Sequence, residues 1–395
     1  MAPEISSFET RVRKWQRTAL VLGLVGMAFA AAGFAMDRQS FAQSYLVAFL
    51  FWLGTALGCL PLIMLHHLTG GNWGFPIRRV MEIAVSTIPL LGLAFLPVAG
   101  GLQDLYLWAR PEAVAHDLIL QQKQLYLNPS FFCGRAVFYF VVWSLWAMAL
   151  SKGSKAYDQN PSSRIQGRLQ MLSGAGLVMY GLTVSFASID WAMSLEPHWY
   201  SSIYGFMFMI GQTLAAFALV ILMTRALAEE GPLTPLVNTL RIHDLGKLLF
   251  AFIMLWAYIG LSQFIIIWSG NLKEEIPWYL TRFSGGWQIP AFALAAFHFV
   301  VPFGLLLSRG LKSRLTTLAP VAGLILVMRY VDLVWLVKPA FSDTLSLTWM
   351  DAACMAAIGG LWIAWLLHRI LNSSLALSHD PLLHAPQEVS HEKNS

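Results

Sequence analysis

The chain has only three cysteines in 395 residues, and Asp, Glu, Lys and Arg together make up 12% of it. Cys59, Cys133 and Cys354 stand singly, with no CxxC or CxxCH spacing anywhere. The chain therefore has no ligand set of its own for an iron–sulfur cluster or a covalent c-type haem. A non-covalent haem usually needs two axial histidines facing each other at similar depth, and only His298 lies well inside an apolar run. His66, His67 and His368 fall at run ends, where solvated or capping roles are expected. The cations never form one block, so the formal charge of +5 gives no footprint for a nucleic acid.

What the chain has in abundance is apolar sequence, at 57%. Ten runs, near 18–36, 44–65, 80–101, 131–150, 169–193, 203–224, 248–269, 286–307, 316–337 and 348–370, each approach the ~20 residues that cross a bilayer as a helix. They predict an all-α polytopic membrane protein. Most of the 26 Lys and Arg lie beside the N-terminus, at every second connection and beside the C-terminus. The positive-inside rule then places both termini in the cytoplasm.

Residues 1–17 form a basic segment in which Ile5, Phe8, Val12 and Trp15 recur at helical spacing, the pattern of an interfacial helix or of a basic flank that sets topology. Leu22 to Ala32 has the look of a signal-peptide core, but the run is longer than one and the charge alternation works only if it is retained as an anchor. Residues 18–372 form the membrane domain. Residues 373–395 are polar, carry Pro381 and Pro386, and read as a disordered cytoplasmic tail.

Spans two to five (about 44–193) and six to nine (about 203–337) read as two copies of one unit. Phe49, Phe51 and Gly54 match Phe206, Phe208 and Gly211 at an offset of 157, and the same offset aligns Ser151-Lys152-Gly153 with Ser308-Arg309-Gly310. Further on, Gly174 and Leu177-Val178-Met179 align with Gly323 and Leu326-Val327-Met328. Two four-helix bundles flanked by spans one and ten are expected, related by an axis along the membrane normal.

Charge at bilayer depth is costly and is kept where a partner or water meets it. Candidates for proton transfer are Asp190, His298, Arg329, Asp332, Asp351 and Glu82. Arg329 and Asp332, three apart, can pair on one helix face. Asp190 shares a face with Thr183, Ala187 and Ser194, near enough to the outer interface to be solvated. Glu82 follows Arg78 and Arg79 and can balance them. His298 can relay protons or simply bond a neighbouring helix. Arg135 begins span four, Asp351 begins span ten, and Gln212 and Gln263 lie at intermediate depth. Most of these residues fall in the outer half of the membrane.

Two stretches carry a family resemblance: Asp190-Trp191-Ala192-Met193-Ser194-Leu195-Glu196-Pro197-His198-Trp199-Tyr200, and Asp244-Leu245-Gly246-Lys247 through Trp256-Ala257-Tyr258-Ile259-Gly260-Leu261-Ser262-Gln263-Phe264 to Glu275-Ile276-Pro277-Trp278-Tyr279. With the ten-span plan, they resemble the F-type subunits of bacterial alternative complex III, a quinol:electron-acceptor oxidoreductase. More widely, they resemble NrfD-type (polysulfide-reductase membrane-anchor) proteins. The resemblance implies a bacterial inner-membrane subunit without a redox centre of its own, supporting assembly and a proton path. Its implied partners are a homologous NrfD-like C subunit, an iron–sulfur subunit, multihaem cytochrome c subunits and a terminal oxidase, with haems and clusters on those partners.

In that family quinol oxidation is assigned chiefly to the C subunit, which is expected to carry Gly-Trp-His followed by Pro-Pro. Here Pro197-His198-Trp199 has no such pair after it. A quinone site, for menaquinone or ubiquinone, needs an apolar slot open to lipid with one or two polar groups, which Asp190, His198 and Gln263 can supply. The outer loops Asp104 to Asn128 and Asn271 to Trp287 are long enough to seat a partner. Two other readings stand beside this one: an ion-coupled secondary transporter, which shares repeated bundles and intramembrane charge, and a purely structural membrane anchor. Against the transporter, Pro61, Pro89, Pro290 and Pro302 do not recur at one offset.

Overall fold

The computed structural model describes residues 2–229 and 231–373, with side chains from residue 7 onward. Ten helices are long and apolar enough to cross a membrane: α1 (Ser7–Met36), α2 (Arg38–Thr69), α3 (Arg78–Gly100), α4 (Pro129–Gln159), α5 (Ser163–Leu195), α6 (Tyr204–Ala228), α7 (Thr239–Gly270), α8 (Gln288–Leu307), α9 (Leu315–Ala340) and α10 (Trp349–Leu371). Each matches one of the ten runs read from the sequence, four of which extend one or two residues beyond their helix. Among the described residues there is no strand. The tail assigned to residues 373–395 lies outside the described residues, apart from its first residue.

Helix α2 packs on α3 and α5, and α4 closes the ring between α3 and α5. In the same way α6 packs on α7 and α9, with α8 between them. The result is an all-α membrane fold of two four-helix bundles joined through α2, α5 and α6, with α1 and α10 paired outside and α10 lying against α2. All of the most apolar 18 residues of α2 are buried, which makes it the central helix.

Most other helices bury one stripe. Along α4, Phe132, Ala136, Tyr139, Trp143, Ala147 and Leu150 face inward at steps of three and four, while Phe131, Phe138, Val141, Leu145 and Met148 are exposed. Such an apolar outer stripe is stable only in lipid, which gives it no reason to fold inward.

Small residues bring α1 and α10 together: a Cβ added at Gly26 would sit 2.5 Å from the backbone nitrogen of Ala357, and one at Gly23 would sit 2.6 Å from that of Leu361. Such close backbone approach is the usual means of helix association where no water is expelled. The basic N-terminal segment runs directly into α1 and does not form a separate interfacial helix. Phe8 and Val12 are buried, and Arg11 donates to the Glu229 carbonyl at the end of α6.

Span boundaries follow local chemistry. Asp37, Asn128, Ser162 and Asn238 accept from first-turn amides of α2, α4, α5 and α7, and Asn271 ends α7 in the left-handed region at φ 46°. Helix α3 is broken into Arg78–Val85, Ile88–Leu93 and Leu96–Gly100, with Pro89 and Pro97 opening its second and third pieces. The bundles have two ends. The terminal face carries the start of α1 and the end of α10, and the distal face carries the long connections 101–128 and 271–287.

Candidate functional site

In the first bundle, Asp190 ends α5 with no solvent exposure, which replaces the solvated position expected from its sequence depth. Its carboxylate receives Arg135 Nε at 2.9 Å and Nη2 at 2.8 Å, and the Tyr139 hydroxyl at 2.8 Å. The guanidinium also donates to the Tyr126 carbonyl at 2.9 Å and lies 3.8 Å from the centre of the Tyr126 ring. Thr183 and Ser194 line the same helix, but Thr183 accepts from Trp143 at 2.9 Å and Ser194 donates to the Asp190 carbonyl at 2.5 Å. With the guanidinium and both carboxylate oxygens engaged, this is a closed ion pair.

At the terminal face, Glu82 is buried in a second closed cluster. It pairs with Arg79 at 2.6 Å and accepts from Ser154, and Arg78 meets Asp158 at 2.5 Å while Arg79 reaches the same carboxylate. Two cations balance two anions, which supports the charge-balancing reading of Glu82. Asp158 went unread in the sequence because it lies 80 residues from Arg78.

The second bundle holds a more open arrangement. Arg329 and Asp332 pair on α9, as their three-residue spacing predicts. Trp256 of α7 donates to Asp332 Oδ2 at 3.3 Å. His298 of α8 is fully buried and stacks on the Trp256 ring at 4.2 Å between centroids, within electrostatic reach of both Asp332 and Arg329. Its ring faces the Met328 backbone, although neither ring nitrogen reaches full hydrogen-bond geometry.

The helix around His298 widens to a π turn over Leu294–Val300. Four residues on, Pro302 has no N–H to donate to the His298 carbonyl, one physical source of this irregularity. The Arg329 guanidinium lies against Gly211 of α6, where any side chain would collide with it. Its repeat counterpart Gly54 of α2 faces Gln212 in the same manner.

Asp332 also borders a cavity of about 620 Å³ between α7, α8 and α9, walled by Trp256, Phe264, Tyr279, Phe292 and Trp335. Its size is that of a small-molecule slot, mostly apolar with the Asp332 carboxylate, the indoles of Trp256 and Trp335 and the hydroxyl-bearing Tyr258 and Tyr279 as its polar residues. Phe292 is 70% exposed at its wall, so the slot opens toward lipid. A separate cavity of about 20 Å³, room for a single water, touches the other side of Arg329 at the junction of the bundles, beside Gln212, Ser188 and Trp191.

Toward the distal face, Arg282 is fully buried. It donates to Glu196 at 2.8 Å and to the carbonyls of Leu336 at 2.8 Å and Trp278 at 3.0 Å, and stacks 3.6 Å from the Trp278 ring centre. Glu196 keeps 26% of its side chain exposed. Tyr204 is within electrostatic reach of Arg282, Glu196, Asp332 and Arg329. A sequence of polar groups thus leads from the distal surface at Glu196 to His298 at mid-bundle. Neither Arg282 nor Glu196 was a sequence candidate, since neither lies inside an apolar run.

The remaining candidates are placed apart. Asp351 is the third residue of a capping box with Thr348 and binds buried Lys338 at 2.5 Å, a helix-start role. His198 is on a loop of the distal face, half exposed, and bonds Asp117 at 2.6 Å. Gln263 of α7 is buried in the second bundle and neither atom of its amide is paired. Asp190 and His198 therefore take different partners, and neither bonds Gln263. Asp332 and His298, in contrast, face one another across Trp256. No protein-family model matches the chain, and no curated protein matches it.

Proposed function

We propose that this chain is an integral membrane subunit of a quinol:electron-acceptor oxidoreductase of the alternative complex III type, in the F-type position, and that it transfers protons through its second bundle. The observation that carries the proton role is the Arg329 and Asp332 pair bonded by Trp256, on whose ring the buried His298 stacks, with the Arg282 and Glu196 bridge toward the distal surface. Intramembrane ionisable groups are retained for such paths because they are otherwise costly.

With both termini cytoplasmic, the Glu196 face is extracytoplasmic in a bacterial inner membrane. There the loops 101–128 and 271–287 would meet iron–sulfur and multihaem cytochrome subunits, and a homologous NrfD-like C subunit would lie alongside in the membrane. A second reading has support from the 620 Å³ slot: a quinol ring entering from lipid would place an oxygen near Asp332 and Trp256.

Gentle purification of the tagged chain from its native membranes tests the assignment. Recovery of iron–sulfur and haem c partners is expected, and a haem-free chain recovered alone would shift the reading to an ion-coupled transporter. In the assembled complex, Asp332→Asn is expected to lower turnover by about tenfold or more, the scale of a lost proton acceptor. Full activity would leave the subunit a structural anchor.

A further inference from the structure

A second large cavity, of about 650 Å³, lies outside both bundles, in the cleft between α1, α2, α3 and α10. Its walls are apolar, with Phe34, Leu93, Pro97 and Ile358 among them. Their few polar atoms are spent internally: the Tyr45 hydroxyl donates to the Ala94 carbonyl at 2.8 Å, and the Trp362 indole donates to Thr87 at 2.7 Å. Its mouth is different. Arg38 and Asp104 flank it at 3.8 Å, too far for a hydrogen bond, with 60% and 32% of their side chains exposed.

Depth discriminates between occupants. On α1 the cleft extends from Phe34, near the mouth, down to Met27, seven residues or about 10 Å of helix. On α3 it extends from Gly100 to Leu90, about 15 Å. Half of a ~30 Å hydrocarbon core is about 15 Å. The cleft is therefore one leaflet deep, the length of an acyl chain, and too short to receive a spanning helix of a neighbour.

We propose that this cleft binds one aminophospholipid of the distal leaflet, with a chain in the groove, its phosphate on Arg38 and its ammonium on Asp104. Two opposite, unsaturated charges at the mouth match a zwitterionic headgroup, whereas an anionic lipid would satisfy Arg38 and face the Asp104 carboxylate. The site is independent of the role proposed for the second bundle.

The test is native mass spectrometry of the full chain in mild detergent, with phosphatidylethanolamine or phosphatidylglycerol of identical acyl chains added in turn. The wild type is expected to retain one phosphatidylethanolamine about fivefold better than phosphatidylglycerol, the scale of one interfacial charge contact. Arg38→Gln is expected to weaken both lipids. Asp104→Asn is expected to erase the preference while keeping phosphatidylglycerol bound. Leu93→Trp, which fills the groove from a lipid-exposed position and leaves the mouth intact, is expected to expel both. Equal retention of the two lipids by the wild type would overturn the proposal. So would unchanged phosphatidylethanolamine retention in both Arg38→Gln and Leu93→Trp.

Discussion

Arg135 and Asp190 meet across α4 and α5 through two parallel hydrogen bonds, Nε to Oδ2 at 2.9 Å and Nη2 to Oδ1 at 2.8 Å, with the carboxylate fully buried. Removing one member leaves the other charge buried without its partner. Asp190→Asn is therefore expected to destabilise the protein by about 3–5 kcal/mol, and the double change Arg135→Met with Asp190→Leu by much less. Thermal unfolding in detergent measures both, and a single substitution as mild as the double one would show that the pair is not desolvated.

Gly26 makes a different demand, since the α10 backbone at Ala357 occupies the place of any side chain there. Gly26→Val is expected to cost about 1–3 kcal/mol through overpacking. Gly304→Val, at a position with nothing within 4 Å, should stay within about 0.5 kcal/mol of the wild type. Equal melting of the two variants would mean that α1 docks loosely.

What could be read in the sequence depended on how local each relationship is. Ten spans were legible because length and hydropathy alone define them, and the Arg329 and Asp332 pair was legible because three residues on one helix fix its geometry. Arg135 and Asp190 were each visible, but their 55-residue separation hid the bond that buries both. Arg282 escaped notice for a related reason: it lies outside the apolar runs, and only packing against Trp278 and the end of α9 makes it the most buried arginine of the distal face. Asp351 shows the reverse, a local signal left unread, because Thr348 three residues before it already spelled a capping box.

The outer loops carry a pH-sensitive tie. Slight burial pushes the Asp117 carboxyl up, but the Leu120 amide, the His198 ring and the Ile119 amide outweigh it and hold the group below its ordinary value of 3.8. A carboxyl depressed in the folded state contributes stability above its unfolded value and loses it as pH falls through the folded one. Protection of the Ile119 and Leu120 amides, corrected for intrinsic exchange, is therefore expected to hold at neutral pH and to collapse below the usual carboxylate range. In His198→Ala the collapse should move to higher pH, and an unmoved midpoint would remove His198 from the tie.

Arg282 sets the turn of α9 that follows Asp332, because one of its acceptors is the carbonyl of Leu336, four residues on. Lysine at this position keeps the charge but has a single nitrogen, which cannot serve Glu196 and the carbonyls of Leu336 and Trp278 from one planar fork. Arg282→Lys is expected to cost about 1–3 kcal/mol, the penalty of a buried carbonyl left unpaired, and to lower turnover of the assembled complex by moving Asp332. Glu196→Gln leaves both carbonyl bonds in place and keeps an oxygen acceptor for the guanidinium at a partly exposed position, so its stability cost should stay below that of Arg282→Lys. If the Glu196 carboxylate serves the proton path, turnover falls in this variant while the melting temperature holds. That separation of activity from stability is the readout that an anchoring role alone would not produce.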